Sequence, residues 1–125
     1  MTLDNVPFAK LLGIEVEAVE PGHAVLTMPI RNELKQNHGV AHGGSIAAVI
    51  DSAMALAIMP MLAENERTTT VDLTIHYLRP LTEGTARASA RVVRAGKRVI
   101  TVSAELVDEH GKLAATAIST YLRLV

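Results

Sequence analysis

Apolar and polar residues alternate with a period of two along most of the chain after residue 66. In the segment 85–94, for example, Ala86, Ala88 and Ala90 alternate with Thr85 and Arg87. Such alternation is typical of a strand with one buried face. Short turns separate the segments, which favours antiparallel hairpins. The pattern predicts strands at residues 68–78, 85–94, 99–107 and 113–124.

The first third of the chain predicts a short helix and two more strands. Residues 6–12 are amphipathic and are followed by Gly13, a common helix stop. Residues 14–19 and 23–30 again alternate, on either side of a Pro21-Gly22 turn. Residues 31–43 are polar and predict a loop.

Residues 44–59 predict the one long helix. The segment is apolar nearly all round, so it should be covered on more than one side. Asp51 and Ser52 lie near its middle, which argues against a membrane span, and Pro60 should end it. A curved antiparallel sheet wrapped around this helix, an α+β fold, would satisfy the pattern in one domain over residues 1–125.

Composition narrows the function classes. The 125 residues carry a formal net charge of -1, and only 2% are aromatic. This balance excludes a nucleic-acid binder driven by phosphate neutralisation or base stacking. No cysteine is present, so disulfides and thiolate metal sites are excluded. The N-terminus lacks a signal-peptide pattern, and a cytoplasmic location with no membrane association is expected.

Asp51 is the most informative single residue. It is flanked by apolar residues on the predicted helix, and an unpaired buried carboxylate is costly. One interpretation is structural: Asp51 faces solvent on a narrow stripe or pairs with a core Arg or His. The other is functional: the carboxylate acts as a general base or a nucleophile in an apolar site.

The residues before the helix favour the functional interpretation. Gly43 and Gly44 follow His42, and a helix N-terminus offers unpaired amide donors and the positive end of the helix dipole. Glycine allows a ligand oxygen to approach the backbone closely, which suits a developing oxyanion. The structural alternative is a tight turn with Ser45 near the cap.

The spacing of these groups predicts a dimer. Gly43 and Asp51 are eight residues apart, about 12 Å along a helix axis. One small reacting group cannot contact both, so we expect the two groups at one site to come from different chains. Two antiparallel helices across a two-fold axis would form two shared sites.

The remaining candidates are weaker. The five histidines form no metal-ligand pattern, and neither a metal nor another cofactor is expected. The turn that contains Arg94, Gly96, Lys97 and Arg98 is the densest positive region. It is either a solvated hairpin tip or a clamp for the phosphates of a large acyl carrier such as coenzyme A.

Four short motifs resemble one known family. His42-Gly43-Gly44, Asp51-Ser52-Ala53, the segment 70–73 (TVDL) and the segment 77–80 (YLRP) are similar to those of the hotdog-fold acyl-CoA thioesterases, in particular the PaaI-like branch related to phenylacetate degradation. The resemblance covers residues 11–124. It implies a hotdog fold, homodimers paired into tetramers, and thioester hydrolysis without a metal.

The resemblance also implies roles for single residues. Asp51 would activate water or attack directly, the Gly43 amide would polarise the carbonyl, His42 would orient the site, and Thr70 would lie near the attacking water. Many family members have Asn six residues before the His, where this chain has Gln36. Either Gln36 serves in its place or the neighbouring Asn37 points into the site.

We therefore predict an acyl-CoA thioesterase that releases a free acid and CoA. The substrate-binding residues expected besides the catalytic ones are Asn37, Gly44 and the basic turn. The alternative is a non-catalytic acyl-CoA sensor or carrier on the same fold. The sequence leaves the preferred acyl chain and the carrier, CoA or protein, open.

Overall fold

The computed structural model describes residues 3–124 and confirms the predicted α+β class. Two short 3-10 turns, Asn32–Leu34 and Met59–Met61, flank the long helix. The elements are α1 (Pro7–Leu12), β1 (Glu15–Glu20), β2 (His23–Pro29), α2 (Gly43–Ile58), β3 (Arg67–Tyr77), β4 (Thr85–Ala95), β5 (Val99–Val107) and β6 (Leu113–Leu124). Each predicted element is present, with ends that differ by one residue at most.

The six strands form one antiparallel sheet in the order β1-β2-β4-β5-β6-β3. Helix α2 lies across one face, here called the inner face, mainly against β2, β4 and β5. On β4 that face consists of small residues, Ala86, Ala88 and Ala90, all fully buried. Their size lets the larger side chains of α2, such as Ile50 and Met54, fill the space between helix and sheet.

Helix α2 is the core of the domain. With the turn after it, the segment Gly43–Met61 is apolar and long enough to cross a membrane by length and composition, but half of it is buried inside this fold. It is therefore a core helix, as expected, while the cytoplasmic location stays a prediction. The sheet leaves one side of α2 only half-buried, and the residues on that side are Ala47, Ala48, Asp51, Ser52 and Ala55.

Two β-bulges correct the faces that strict alternation predicts. In β3, Thr70 pairs with Tyr121 and Asp72 with Thr120, so Val71 is an extra residue and is 59% exposed. Thr70 therefore shares the inner face with Leu73, whereas strict alternation from Leu73 would place Val71 there. A second bulge follows Val16 in β1 and leaves Ala18 exposed, although its parity predicted burial. An extra residue reverses the facing of every residue beyond it.

The carboxylate of Asp72 stabilises the bulge in β3. Its Oδ1 accepts a hydrogen bond from the backbone N–H of Thr120 at 2.9 Å. The bulge interrupts the regular ladder at this point, and the side chain supplies the acceptor that the neighbouring strand would otherwise provide.

We expect Asp72→Ala to lower the free energy of unfolding by about 1 kcal/mol, because the Thr120 N–H loses its acceptor. Asp72→Asn keeps an acceptor oxygen and should retain most of the stability. Urea unfolding of the three proteins at one protein concentration measures the difference. Equal losses in the Ala and Asn variants would contradict a hydrogen-bonding role for this side chain.

Candidate active site

The first turn of α2 is capped by a histidine. His42 is the N-cap residue, and its Nδ1 accepts a hydrogen bond from the N–H of Gly44 at 2.8 Å. The N–H groups of Ser45 and Ile46 bond to the His42 carbonyl. Within residues 3–124, the N–H of Gly43 has no acceptor. The cap therefore satisfies the neighbouring donors and leaves a single amide free at the positive end of the helix.

The two glycines serve different purposes. A Cβ on Gly44 would lie 2.9 Å from Nδ1 of His42, so a side chain there would displace the capping ring. A Cβ on Gly43 would meet the ring of Tyr77 at 3.4 Å, which is an ordinary contact. The Tyr77 hydroxyl donates to the Gly43 carbonyl at 2.9 Å and fixes this turn against the end of β3. The sequence motif contained Tyr77, but no role had been assigned to it.

Asp51 is half-buried on the uncovered side of α2. The hydroxyl of Tyr121 donates to its Oδ1 at 3.1 Å. Tyr121 lies on the inner face of β6 and is only 3% exposed. Burial raises the pKa of the Tyr121 phenol well above its usual range, and the negative charge of Asp51 adds to the increase. The phenol therefore stays protonated at neutral pH and holds one carboxylate oxygen in place.

Thr70 completes this hydrogen-bond network. It is the cross-strand partner of Tyr121, and because of the bulge at Val71 its side chain lies on the same face of the sheet. The Thr70 hydroxyl hydrogen-bonds to the Tyr121 phenol. Asp51 and Thr70 were both expected at the site, whereas Tyr121 was missed. The only sequence signal for Tyr121 was an aromatic residue at an inward-facing position of the last strand.

Gln36 and Asn37 lie in the turn that precedes α2. The side-chain Oε1 of Gln36 accepts a hydrogen bond from the N–H of His38 at 2.6 Å, and its backbone N–H bonds to the Val40 carbonyl. Gln36 thus holds the turn that precedes the helix. Asn37 is exposed at the tip of that turn. A contact of either side chain with a substrate stays a prediction.

The basic turn lies at the same end of the sheet as Tyr121. Ile100 pairs with Ala95 on one side and with Tyr121 on the other. Arg123 anchors the turn with two hydrogen bonds. Its side-chain Nε donates to the Gly96 carbonyl at 3.0 Å, and its backbone N–H donates to the Arg98 carbonyl at 2.7 Å. In the described chain, the exposed cations of this turn form no ion pair; they are Arg94, Lys97 and Arg98.

A cavity of about 360 Å³ adjoins Gly43 at the other end of the sheet. Its walls are mostly apolar. No group of three or more His, Asp or Glu side chains among residues 3–124 could hold a metal ion. The chain thus offers a free amide, a positioned carboxylate, an apolar cavity and a cationic turn, which suits an acyl substrate with an anionic carrier.

Comparison with known proteins agrees with this chemistry. Residues 38–115 match the family model described as the thioesterase superfamily. The chain is 30% identical to the medium/long-chain acyl-CoA thioesterase YigI of Escherichia coli, over 98% of this chain and 88% of YigI. It is 32% identical to the acyl-coenzyme A thioesterase PaaI of the same organism, over 90% and 79%. The structure of a mutant PaaI from Thermus thermophilus superposes with a TM-score of 0.88 at 36% identity, covering 94% of this chain and 99% of that one.

We expect Gly44→Ala to be less stable than Gly43→Ala by about 1 kcal/mol, because only the former displaces the capping ring of His42. Both substitutions bring the same intrinsic gain in helix propensity, so their difference isolates the cap. Thermal or urea unfolding at a fixed protein concentration provides the comparison. If the two variants are equally stable, the His42 cap contributes nothing to the fold.

Proposed function

The chain belongs to the thioesterase superfamily, and we propose that it hydrolyses acyl-CoA thioesters to a free carboxylic acid and CoA. It is a thioester hydrolase of the PaaI-like hotdog type, since its relatives of that name match it along most of its length. The observation that carries the proposal is the free N–H of Gly43 at the start of α2, in a chain that also holds the Asp51 carboxylate in position.

In this mechanism the Gly43 N–H binds the thioester carbonyl oxygen. Negative charge develops on that oxygen as the carbonyl carbon becomes tetrahedral. The amide is fixed by the helix and needs no reorganisation, and the helix dipole has the correct sign to stabilise the charge. His42 contributes by occupying the Gly44 N–H and thereby fixing the direction of the turn.

Asp51 would supply the second function. As a general base it would take a proton from water while the water oxygen bonds to the carbonyl carbon; the C–S bond then breaks and the proton is returned to the leaving sulfur. As a nucleophile it would bond to the carbonyl carbon and expel the CoA thiolate as the C–S bond breaks; water would then hydrolyse the resulting anhydride to the free acid and regenerate Asp51. In either route the Tyr121 hydrogen bond leaves the second carboxylate oxygen available to react, and Thr70 lies beside the network.

The proposed site is shared between two chains. Gly43 and Asp51 are about 12 Å apart along the axis of α2, too far to act on one carbonyl. Two features support a partner. β3 ends the sheet, so one edge of an eleven-residue strand has unpaired backbone groups. The half-buried side of α2, which carries Asp51, also needs a cover. A second copy that adds its own β3 to this edge would provide both.

We propose further that two such dimers associate. The outer face of β5 and β6 exposes large apolar side chains that the isolated chain does not cover; they are Val99, Ile118, Leu122 and Leu124. A patch of this kind is typical of an interface. The cations of the basic turn lie next to this face and would bind the phosphates of CoA.

We expect Gly43→Pro to lower kcat/KM by about 10²- to 10³-fold, because proline has no N–H to stabilise the oxyanion. The fold should tolerate the change, since proline is favoured at the first helical position and His42 already has the extended conformation (φ -63°, ψ 135°) that precedes proline. Gly43→Ala keeps the N–H and is the matched control. A proline variant as active as the alanine variant would remove the amide from the mechanism.

We expect Asp51→Asn to abolish turnover while the fold and the dimer remain intact. Ser52→Ala is the matched control on the same side of α2, because the Ser52 hydroxyl only bonds to the Ala48 carbonyl. A thiol-release assay with acyl-CoA, beside calorimetry with a non-hydrolysable analogue, measures turnover and binding separately. Binding without turnover in the unmodified protein would favour the non-catalytic sensor or carrier.

Mixed dimers test the sharing. A dimer of one Gly43→Pro chain and one Asp51→Asn chain contains one intact site, so it should recover about half the activity of the unmodified dimer. Each variant alone stays inactive. Two different affinity tags allow the heterodimer to be isolated. If isolated heterodimers show no activity, the two groups do not act across an interface.

A further inference from the structure

The cavity beside Gly43 has walls that select for hydrocarbon. Ile46 of α2, Leu106 of β5 and the loop residue Leu81 are buried and line it, together with Ala114 at the start of β6. None of these four side chains can pair with a charge or a phosphate. Arg79, an exposed residue, also lines the cavity. Besides the Gly43 N–H, the polar groups at the cavity wall come from Arg79 and the Tyr77 hydroxyl.

We propose that this cavity binds the acyl chain of the substrate and selects acyl groups of medium length, an inference that rests on the proposed thioester hydrolysis. The argument begins at the carbonyl. Its oxygen would be bound by the Gly43 N–H, and the acyl chain leaves the same carbonyl carbon. The cavity includes Gly43 in its wall, so a chain that starts at the bound carbonyl enters it directly.

The CoA carrier would leave the bound carbonyl in a different direction from the acyl chain. The cationic turn follows Ala95 and lies near Tyr121, whereas the cavity is lined by Ala114, seven residues earlier on β6. At about 3.3 Å per strand residue, these two points of one chain are about 23 Å apart. The cavity therefore lies away from the cationic turn that would bind the phosphates, and its buried apolar walls fit the acyl part of the substrate.

The size of the cavity sets the class of acyl group. One water occupies ~30 Å³ in the liquid. If a methylene group takes the same space, a volume of about 360 Å³ holds on the order of ten methylene groups. Leu106 and Ala114 are almost fully buried and form part of its wall. Shorter chains would leave apolar wall without contact, and much longer chains would have to extend back out to solvent.

The test uses S-alkyl-CoA thioethers, which bind without being hydrolysed, and a matched series of acyl-CoA substrates. We expect the unmodified protein to bind S-decyl-CoA at least ~10-fold more tightly than S-butyl-CoA, since each methylene in an apolar pocket contributes measurably. Ala114→Leu fills part of the cavity and should weaken S-decyl-CoA by at least ~10-fold while S-butyl-CoA changes less than ~2-fold. Turnover of decanoyl-CoA and butyryl-CoA should follow the same pattern.

Two further variants secure the interpretation. Thr82→Leu adds the same side chain at an exposed loop position outside the cavity and should leave both affinities unchanged. Leu106→Val enlarges the cavity by one methylene and should move the preference to longer chains, a gain that a misfolded protein cannot produce.

The outcomes distinguish the two proposals. Equal losses of S-butyl-CoA and S-decyl-CoA in Ala114→Leu would overturn the acyl assignment and indicate the carrier arm or a partner's side chain as the occupant. Unchanged affinities would overturn it as well. A chain-length preference in binding without any thiol release would contradict the proposed hydrolysis but not the cavity assignment.

Discussion

One sheet cannot cover every side of an apolar helix. α2 is buried by β2, β4 and β5, yet the side with Ala47, Ala48 and Ala55 is only half-covered, and Asp51 lies in the middle of that side. A wider sheet around the same helix would bury the carboxylate and require a charged partner. The present arrangement lets the carboxylate be held by a neutral donor, Tyr121, and still be reached from outside the chain. The proposed second subunit would cover this half-buried side of α2.

The N–H groups at the start of α2 are likewise only partly capped. A helix leaves four N–H groups without acceptors, and proteins usually cap them with side chains. Here Nδ1 of His42 accepts a hydrogen bond from the N–H of Gly44, and the His42 carbonyl accepts one from the N–H of Ser45. Among residues 3–124, the N–H of Gly43 has no acceptor. The cap itself requires only Gly44, which makes room for the ring, whereas a Cβ on Gly43 would meet Tyr77 at an ordinary contact distance. The cap thus selects which amide is free instead of satisfying the end completely.

The sequence was sufficient to locate the helices and strands. It was insufficient to locate the β-bulges, where the alternation of facing is interrupted. Alternation located all six strands, and the apolar run located α2, because burial of one face is a local property of a segment. The bulge at Val71 leaves no comparable trace in the pattern, and it decides that Thr70 faces the helix. Tyr121 was missed for a related reason. It meets Asp51 only after β6 has been placed beside β3, a contact between residues seventy positions apart.

The distribution of charge within one chain agrees with the proposal that the site extends over two. The apolar cavity adjoins the start of α2, and the cationic turn lies at the opposite end of β6, on the side of Asp51 and Tyr121. An acyl-CoA thioester is divided in a matching way. An apolar acyl group lies on one side of its reacting carbonyl carbon, and a polyanionic carrier lies on the other. In the proposed dimer, a two-fold axis would bring the Gly43 end of one chain to the Asp51 end of the other. Each shared site would then have an apolar side from one chain and a cationic side from its partner, so that the orientation of the substrate would follow from the symmetry of the proposed dimer.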